Sequence, residues 1–165
     1  MNTGLLYELL WKDEKASSYV LAVIPPEALR FIRHERRTQC YIVNTRKSEM
    51  KNSPRAPGHW IVLVLHGWGS SVKNAGWIEV FDSLAMASYQ DHWNEELKTF
   101  ISKHNFSKNL SAFQPMGSEG CAYYCLFYVY YKSRKYSSKL IYKILSNVKN
   151  IKLETKLLYK ALHYE

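Results

Sequence analysis

The chain has 165 residues, with 23 Lys or Arg against 14 Asp or Glu, so its formal net charge is +9. This length suits one domain with a sizeable core, and the 47% hydrophobic and 15% aromatic residues exclude a disordered chain. No apolar run approaches the roughly 18 residues that a membrane span needs, and the first residues lack a secretory signal, so we expect neither a membrane nor a secreted protein.

The first third of the chain predicts a helix and two strands. Asn2 or Thr3 is suited to cap the helix, whose apolar residues fall on one face. Residues 19–24 and 39–45 are rich in β-branched and aromatic side chains and predict the strands. Residues 46–58 contain two prolines and a glycine and therefore predict a loop.

The central third predicts a β-hairpin. Residues 60–65 form a nearly continuous apolar run, which is typical of a central strand covered on both faces. Residues 77–81 alternate between apolar and polar and predict the returning strand. The glycine-rich segment 67–76 between them is of hairpin-loop length, so the two strands should be antiparallel.

The last part of the chain is mostly helical in its pattern. We expect a helix over 88–104 and a short extended segment over 110–113. Residues 121–132 are apolar on every side and predict a buried helix. Two amphipathic helices should follow, at 138–148 and 151–163.

The order of these elements indicates the fold class. A helix, a group of strands and then packed helices, with no repeat and no linker, predict one α+β domain over residues 1–165. We expect a mostly antiparallel central sheet that packs against the helices. The buried helix should begin at Cys121.

The positive charge is concentrated in two blocks. Residues 30–55 have a net charge of +6 and residues 132–165 of +7, whereas residues 1–29 and 56–131 are each at −2. Such basic blocks attract phosphate backbones without sequence preference, although a lysine-rich surface that only keeps the protein soluble has the same pattern. The densest candidates for nucleic-acid binding are Arg30, Arg33, Arg36, Arg37, Lys132, Arg134, Lys135 and Lys139.

Cys121 is the first candidate for chemistry. The chain has only Cys40, Cys121 and Cys125, and this odd, sparse set indicates a reducing compartment rather than a disulfide scaffold. A thiol at a helix N-terminus has a lowered pKa, because the helix dipole and unpaired N–H groups stabilise the thiolate. A small buried cysteine at a loop–helix junction is an equally good interpretation of the local sequence, and Cys125 is expected in the core.

A thiolate nucleophile needs a base, a group that orients the base, and donors for an oxyanion. His59 and His66 lie at the two ends of the predicted strand 60–65. Because the hairpin is antiparallel, Asp82 at the end of the returning strand should lie near His59 rather than His66. Gln114 precedes Cys121 by seven residues, and its side-chain amide could face the developing oxyanion.

This ordered set resembles adenain, the adenovirus maturation protease, and more distantly the SUMO-specific and ubiquitin-like proteases. The shared order is His59-Trp60, an acidic residue after the next strand, a Gln, and a Cys that opens an apolar helix. The segment 40–45 before a polar loop, the Gln-to-Cys interval, and a second cysteine four residues after the first are similar to adenain in particular. The resemblance covers about residues 19–131.

The resemblance implies the adenain or ubiquitin-like-protease fold and a cysteine endopeptidase without a required cofactor. Cys121 would be the nucleophile, His59 the general base and Asp82 the group that holds the imidazole. Gln114 and the Cys121 backbone N–H would form the oxyanion hole, and Trp60 would line the substrate cleft. Capsid precursors cut after Gly-Gly-type residues would be the substrates, and viral DNA the partner of a monomeric enzyme in the virion and infected cell.

The sequence departs from adenain at three points that affect the residue roles and activators implied by the resemblance. Asp82 stands where adenain has Glu, whereas the SUMO proteases have Asp at this place. Ala122 replaces the Gly that follows the nucleophile in the family. Adenain holds an activating peptide through a disulfide, and the cysteine that forms it would match a position close to Lys103. This sequence has no cysteine between Cys40 and Cys121, so a disulfide-held activator is not expected. DNA and a noncovalent capsid-derived peptide remain candidate activators. The alternatives are a SUMO or ubiquitin-like deconjugase and a non-catalytic, DNA-binding packaging protein.

Overall fold

The structure, a computed structural model, describes residues 3–46, 58–67, 76–85, 93–115 and 117–160. These contain six α-helices, five strands and a 3-10 helix, so the class is α+β. In chain order they are α1 (Thr3–Leu10), α2 (Glu14–Tyr19), β1 (Val20–Ile24), the 3-10 helix (Pro26–Phe31), β2 (Gln39–Asn44), β3 (Trp60–Leu65), β4 (Ile78–Phe81), α3 (Glu95–Ser102), β5 (Phe106–Lys108), α4 (Cys121–Lys132), α5 (Ser138–Leu145) and α6 (Ile151–Lys160).

The five strands form one mixed sheet in the order β1-β2-β3-β4-β5. β3 is antiparallel to β2 and to β4, whereas β1 with β2 and β4 with β5 are parallel. The prediction of a mostly antiparallel sheet is therefore wrong. A parallel pair needs a long crossover, and the connections at these two places each contain a helix, the 3-10 helix after β1 and α3 after β4.

Both faces of the sheet are covered, as predicted for β3, whose six residues are all buried. Alternate residues of β3 enter different clusters, because side chains alternate across a strand. Val62 packs in a cluster with α1, α2, α4, α5 and α6. Leu63 packs in a second cluster on the other face, with the 3-10 helix and α3. Three layers result, with the sheet in the middle.

Helix α4 has the bounds that the sequence predicts, and its residues Cys121 to Val129 are buried without exception. Cys125 is 1% exposed, in agreement with its expected place in the core. The helix ends at Lys132. Three residues later Lys135 has a left-handed φ of 65°, and the N–H of Tyr136 donates to the carbonyl of Tyr131 at 3.1 Å. No helix in the described ranges combines the length and apolar composition of a membrane span.

Several predicted boundaries are corrected. Residues 88–92 lie outside the described part of the chain, but α3 begins only at Glu95, because the Asn94 side chain caps it by accepting the N–H of Leu97 at 3.0 Å. The extended segment expected at 110–113 is not a strand. Instead β5 precedes it, and β5, α2 and the 3-10 helix were not expected. The end of the last predicted helix, residues 161–163, lies outside the described residues.

Candidate active site

The register of β3 with β4 brings His59 and Asp82 together. Val62 opposes Phe81, so the residues just before β3 lie near the residues just after β4. Nε2 of His59 lies 2.7 Å from Oδ1 of Asp82, and both residues are buried. The predicted proximity is confirmed. His66, the rival histidine, lies at the other end of β3, 3.5 Å from Glu79.

The Asp82 carboxylate is held by three donors. Oδ1 accepts from His59 and from the backbone N–H of Leu84 at 2.9 Å, and Oδ2 accepts from the indole Nε1 of Trp93 at 3.2 Å. Burial would raise the pKa of Asp82, but these hydrogen bonds and the positive charge of His59 outweigh it and lower the pKa. The carboxylate therefore stays ionised while it is wholly buried.

Cys121 opens α4 beside the imidazole. Its side chain is hydrogen-bonded to His59, and the backbone N–H of Trp60 donates to it. Since Nε2 of His59 contacts Asp82, Nδ1 is the ring nitrogen left for the thiol. Burial would raise the pKa of the thiol, but these interactions with His59 and Trp60 hold it below its usual value.

The imidazole of His59 is the base that could accept the proton of the Cys121 thiol. Burial would lower its pKa, but the hydrogen bonds and charges of Asp82 and Cys121 raise the pKa to about 9. A lowered thiol pKa and a raised imidazole pKa favour transfer of the thiol proton to the ring. The arrangement therefore favours a thiolate–imidazolium pair over a neutral thiol and imidazole.

Gln114 lies in the segment before α4, 6% exposed. Its Oε1 accepts from the hydroxyl of Ser83 at 2.6 Å, and its Nε2 donates to the carbonyl of Ser118 at 2.6 Å. One Nε2 hydrogen is thus used within the protein. The N–H of Cys121 is the first of α4 and has no acceptor inside the helix. Both are suitable donors for an oxyanion.

Trp60 lies beside the candidate site, and its role in a substrate cleft stays a prediction. It is 4% exposed and packs in the same cluster as Cys121, because it is the first residue of a strand that is buried on both faces. Its contact with the candidate site runs through its backbone N–H. The residue therefore supports the sulfur from within the core.

The three cysteines differ sharply in environment. Burial raises the pKa of Cys40 and of Cys125, so both thiols stay protonated. Cys121 alone has a lowered pKa. In the described part of the chain, no group of three His, Cys, Asp or Glu side chains could hold a metal ion.

The predicted basic residues divide into two groups. Lys132 and Arg134 are not available to a phosphate backbone, because carboxylates from other parts of the fold already engage them. Lys132 lies 2.8 Å from Glu79, and Arg134 lies 2.7 Å from Asp13. Six are exposed: Arg30, Arg33, Arg36, Arg37, Lys135 and Lys139.

The sequence did not point to Ser83, Trp93 or Asn109. Asn109 follows β5, and its side chain binds both backbone groups of Asp82. Ser83 was detectable only as the neighbour of Asp82, and Trp93 had no local signal at all. All three act through contacts that span many residues of sequence.

The comparisons with known proteins leave the family open. No family model and no curated protein matches the chain. Among solved structures, it is similar to the central domain of the uncharacterized protein Lpg1148 from Legionella pneumophila, with 15% identity over 89% of this chain and 90% of that chain. The TM-score of 0.47 is too low to support a statement about activity.

Proposed function

We propose that this protein is a cysteine endopeptidase. Cys121 is the nucleophile, His59 the general base and Asp82 the group that orients the imidazole. The observation that carries the proposal is the buried chain of hydrogen bonds from the thiol through His59 to Asp82, with a lowered thiol pKa and an imidazole pKa of about 9. A structural cysteine in the core has no need of such a partner.

The proposed reaction proceeds through an acyl-enzyme. The thiolate of Cys121 attacks the carbonyl carbon of the scissile peptide bond, and the oxyanion accepts from the Cys121 N–H and from Nε2 of Gln114. The imidazolium of His59 then gives its proton to the leaving amine as the C–N bond breaks. A water molecule, deprotonated by His59, attacks the thioester, and the carboxylic acid leaves as the thiolate re-forms.

The likeness of His59, Asp82, Gln114 and Cys121 in chain order to adenain supports the finer part of the proposal. On that resemblance the fold is that of the adenain and ubiquitin-like proteases, and the substrates are virion precursors cut after Gly-Gly-type residues. The exposed arginines of residues 30–37 are the proposed contacts for viral DNA. The proposed places of action are the virion and the infected cell.

A deconjugase for SUMO or ubiquitin-like modifiers is the second candidate. The observation that favours it is Asp82, since the SUMO proteases carry Asp where adenain carries Glu. Such modifiers also end in Gly-Gly, so the same catalytic residues could cleave after Gly-Gly in a modifier or in a capsid precursor. Rapid release of a fluorophore from SUMO or ubiquitin conjugates, with capsid precursor left intact, would select this function over virion maturation.

The decisive experiment is mass spectrometry of capsid precursors co-expressed with the protein. Wild type should process the precursors, and Cys121→Ala should not. Cys125→Ala is the matched control, because Cys125 lies one turn further along α4 and its thiol stays protonated. Processing that continues with Cys121→Ala refutes the protease and leaves the non-catalytic DNA-binding function.

DNA binding is tested separately, because a packaging protein and a protease could both have it. Affinity for duplex DNA should be independent of sequence and fall steeply between about 50 and 200 mM salt. Replacement of Arg36 and Arg37 by Ala should weaken binding and lessen the salt dependence. An affinity that does not change with salt would remove viral DNA from the proposed partners.

A further inference from the structure

A pair of buried neighbours, Asp82 and Ser83, joins the end of β4 to the segment that carries Gln114. The N–H of Asp82 donates to Oδ1 of Asn109 at 2.9 Å, and its carbonyl accepts from Nδ2 at 2.7 Å. The backbone pairing of β4 with β5 ends at Lys108. Beyond it, the side chain of Asn109 takes the place of a backbone partner for Asp82. Asn109 is 2% exposed, so water does not compete for its hydrogen bonds to Asp82.

Ser83 makes the next links along the same line. Its carbonyl accepts the backbone N–H groups of Phe113 at 2.8 Å and of Gln114 at 3.0 Å. Its hydroxyl donates to Oε1 of Gln114 at 2.6 Å. Ser83 is 1% exposed, and a hydrogen bond in such a dry environment is stronger than one that competes with water.

These bonds determine which end of the Gln114 amide is which. Only the nitrogen end can donate to an oxyanion. The Ser118 carbonyl can only accept, so it requires Nε2, which lies 2.6 Å away. The Ser83 hydroxyl supplies the donor that Oε1 requires. A flipped amide would place Oε1 against the Ser118 carbonyl oxygen, which is repulsive.

We propose that Ser83 is a positioning residue for the oxyanion hole, a role that rests on the proposed peptidase function. Its hydroxyl holds the Gln114 amide with a free Nε2 hydrogen for the substrate. Its backbone holds Gln114 at a fixed place relative to the His59–Asp82 pair, because Asp82 is its neighbour. Without the hydroxyl, Oε1 would be a buried acceptor that lacks its partner, and the Ser118 carbonyl alone would hold the amide, less firmly than both bonds together.

The test compares Ser83→Ala with Ser111→Ala, an exposed serine in the same segment as Gln114. The substrate is a peptidyl-Gly-Gly aminomethylcoumarin amide. Loss of one oxyanion donor costs about 100- to 1000-fold in kcat, so its misplacement in Ser83→Ala should cost about 10- to 100-fold. KM and the pH midpoint of Cys121 alkylation by iodoacetamide should not change, because Ser83 contacts neither thiol nor imidazole. Ser111→Ala should equal wild type.

A double-mutant cycle separates positioning from general structural damage. On a Gln114→Ala background, Ser83→Ala should cause no further loss of kcat, because the two residues act as one unit. A further loss there, or a shifted alkylation midpoint, overturns the inference. Ser83→Cys keeps a weak donor and should give an intermediate kcat, and it decides the matter if Ser83→Ala fails to fold.

The two proposals fail in different ways. If wild type cleaves the coumarin substrate and Ser83→Ala cleaves it equally fast, the role of Ser83 is refuted and the peptidase stands. If wild type cleaves neither this substrate nor a capsid precursor or conjugate, although Cys121 is alkylated as a thiolate, the peptidase is refuted. The role of Ser83 is then refuted with it.

Discussion

The indole Nε1 of Trp93 lies 3.2 Å from Oδ2 of Asp82, the carboxylate oxygen that His59 does not use. Trp93 is 5% exposed and packs in the cluster on the α3 face of the sheet. Cys121 packs in the cluster on the opposite face. The line from Trp93 through Asp82 and His59 to the thiol therefore crosses the sheet and anchors the candidate site in both layers of the core.

Trp93→Phe should lower kcat by about tenfold, because a hydrogen bond to a charged group contributes ~1.5 kcal/mol and holds the carboxylate in place. Loss of a donor to the ionised form should raise the pKa of Asp82, so the acid limb of the pH–rate profile should move to higher pH. Trp11→Phe is the matched control, since Trp11 is 74% exposed. An acid limb that stays in place would show that the indole only fills space.

The alkylation of Cys121 should depend on His59 in a defined direction. In wild type, iodoacetamide should react with a midpoint below the usual thiol pKa of about 8.5, because His59 favours the thiolate. In His59→Ala the midpoint should move to higher pH, since the backbone N–H of Trp60 then opposes burial without the help of the imidazole. Cys40 and Cys125 are internal controls that should stay unreactive. Equal midpoints in the two proteins would contradict the ion pair.

Peptidase activity should also fall at high pH. In the proposed reaction the imidazolium of His59 protonates the leaving amine, and its pKa is about 9. As pH rises through about 9 the ring loses its proton, so kcat should decrease. The raised pKa also means that this group stabilises the fold fully below its unfolded pKa and that the contribution is lost as pH approaches 9. A kcat that still rises past pH 10 would contradict this assignment.

The partly buried pair of Glu79 and Lys132 should contribute to stability rather than to DNA binding. Burial would raise the pKa of Glu79, but His66 and Lys132 lower it to about 2. Lys132→Ala should therefore destabilise the protein by on the order of 3 kcal/mol near neutral pH. The carboxylate is ionised above its unfolded pKa and protonated as pH falls toward 2, so the difference from wild type should shrink over that range.

Urea denaturation of the two proteins at both ends of that pH range measures the effect. Lys139→Ala is the control, because Lys139 is exposed and basic but lies outside this network. It should leave stability almost unchanged. If Lys132→Ala and Lys139→Ala weaken DNA binding equally while both proteins stay folded, Lys132 contacts DNA in spite of its ion pair with Glu79.

Lys135→Gly should stabilise the protein. Lys135 has a φ of 65°, which costs an L-residue about 1 kcal/mol and glycine almost nothing. The expected gain of up to ~1 kcal/mol corresponds to a rise of about 2–4 °C in Tm. Lys143→Gly, within α5, should have the opposite sign, because glycine disfavours a helix. A lower Tm for Lys135→Gly would show that its side chain makes a contact worth more than the strain.

The parts of the fold that the sequence predicts well are those with strong local patterns. β3 and α4 have their predicted bounds, because long apolar runs leave few alternatives. The pairing of His59 with Asp82 followed from one further rule, that a hairpin is antiparallel. The nearness of His59 to Asp82 was therefore accessible without coordinates, whereas the link from Cys121 to His59 was expected only from the resemblance to adenain.

What could not be predicted depends on contacts between distant segments. β5 has three residues, two of them exposed, so it has no strand pattern, and the parallel pairing with β4 could not be foreseen. Trp93 and Asn109 reach Asp82 only because that pairing and α3 bring them there. Charge counts identified Lys132 and Arg134 as basic but not their partners, which lie on β4 and before α2.

The position of the thiol at the head of α4 has a consequence for how the protein would lose activity on heating. Nine successive residues from Cys121 lie in the core, so the sulfur cannot leave its place by the opening of a surface segment. The amide hydrogens of α4 should exchange with solvent only when the whole molecule unfolds. Thermal inactivation and the calorimetric transition should therefore coincide, with no inactive folded state between them.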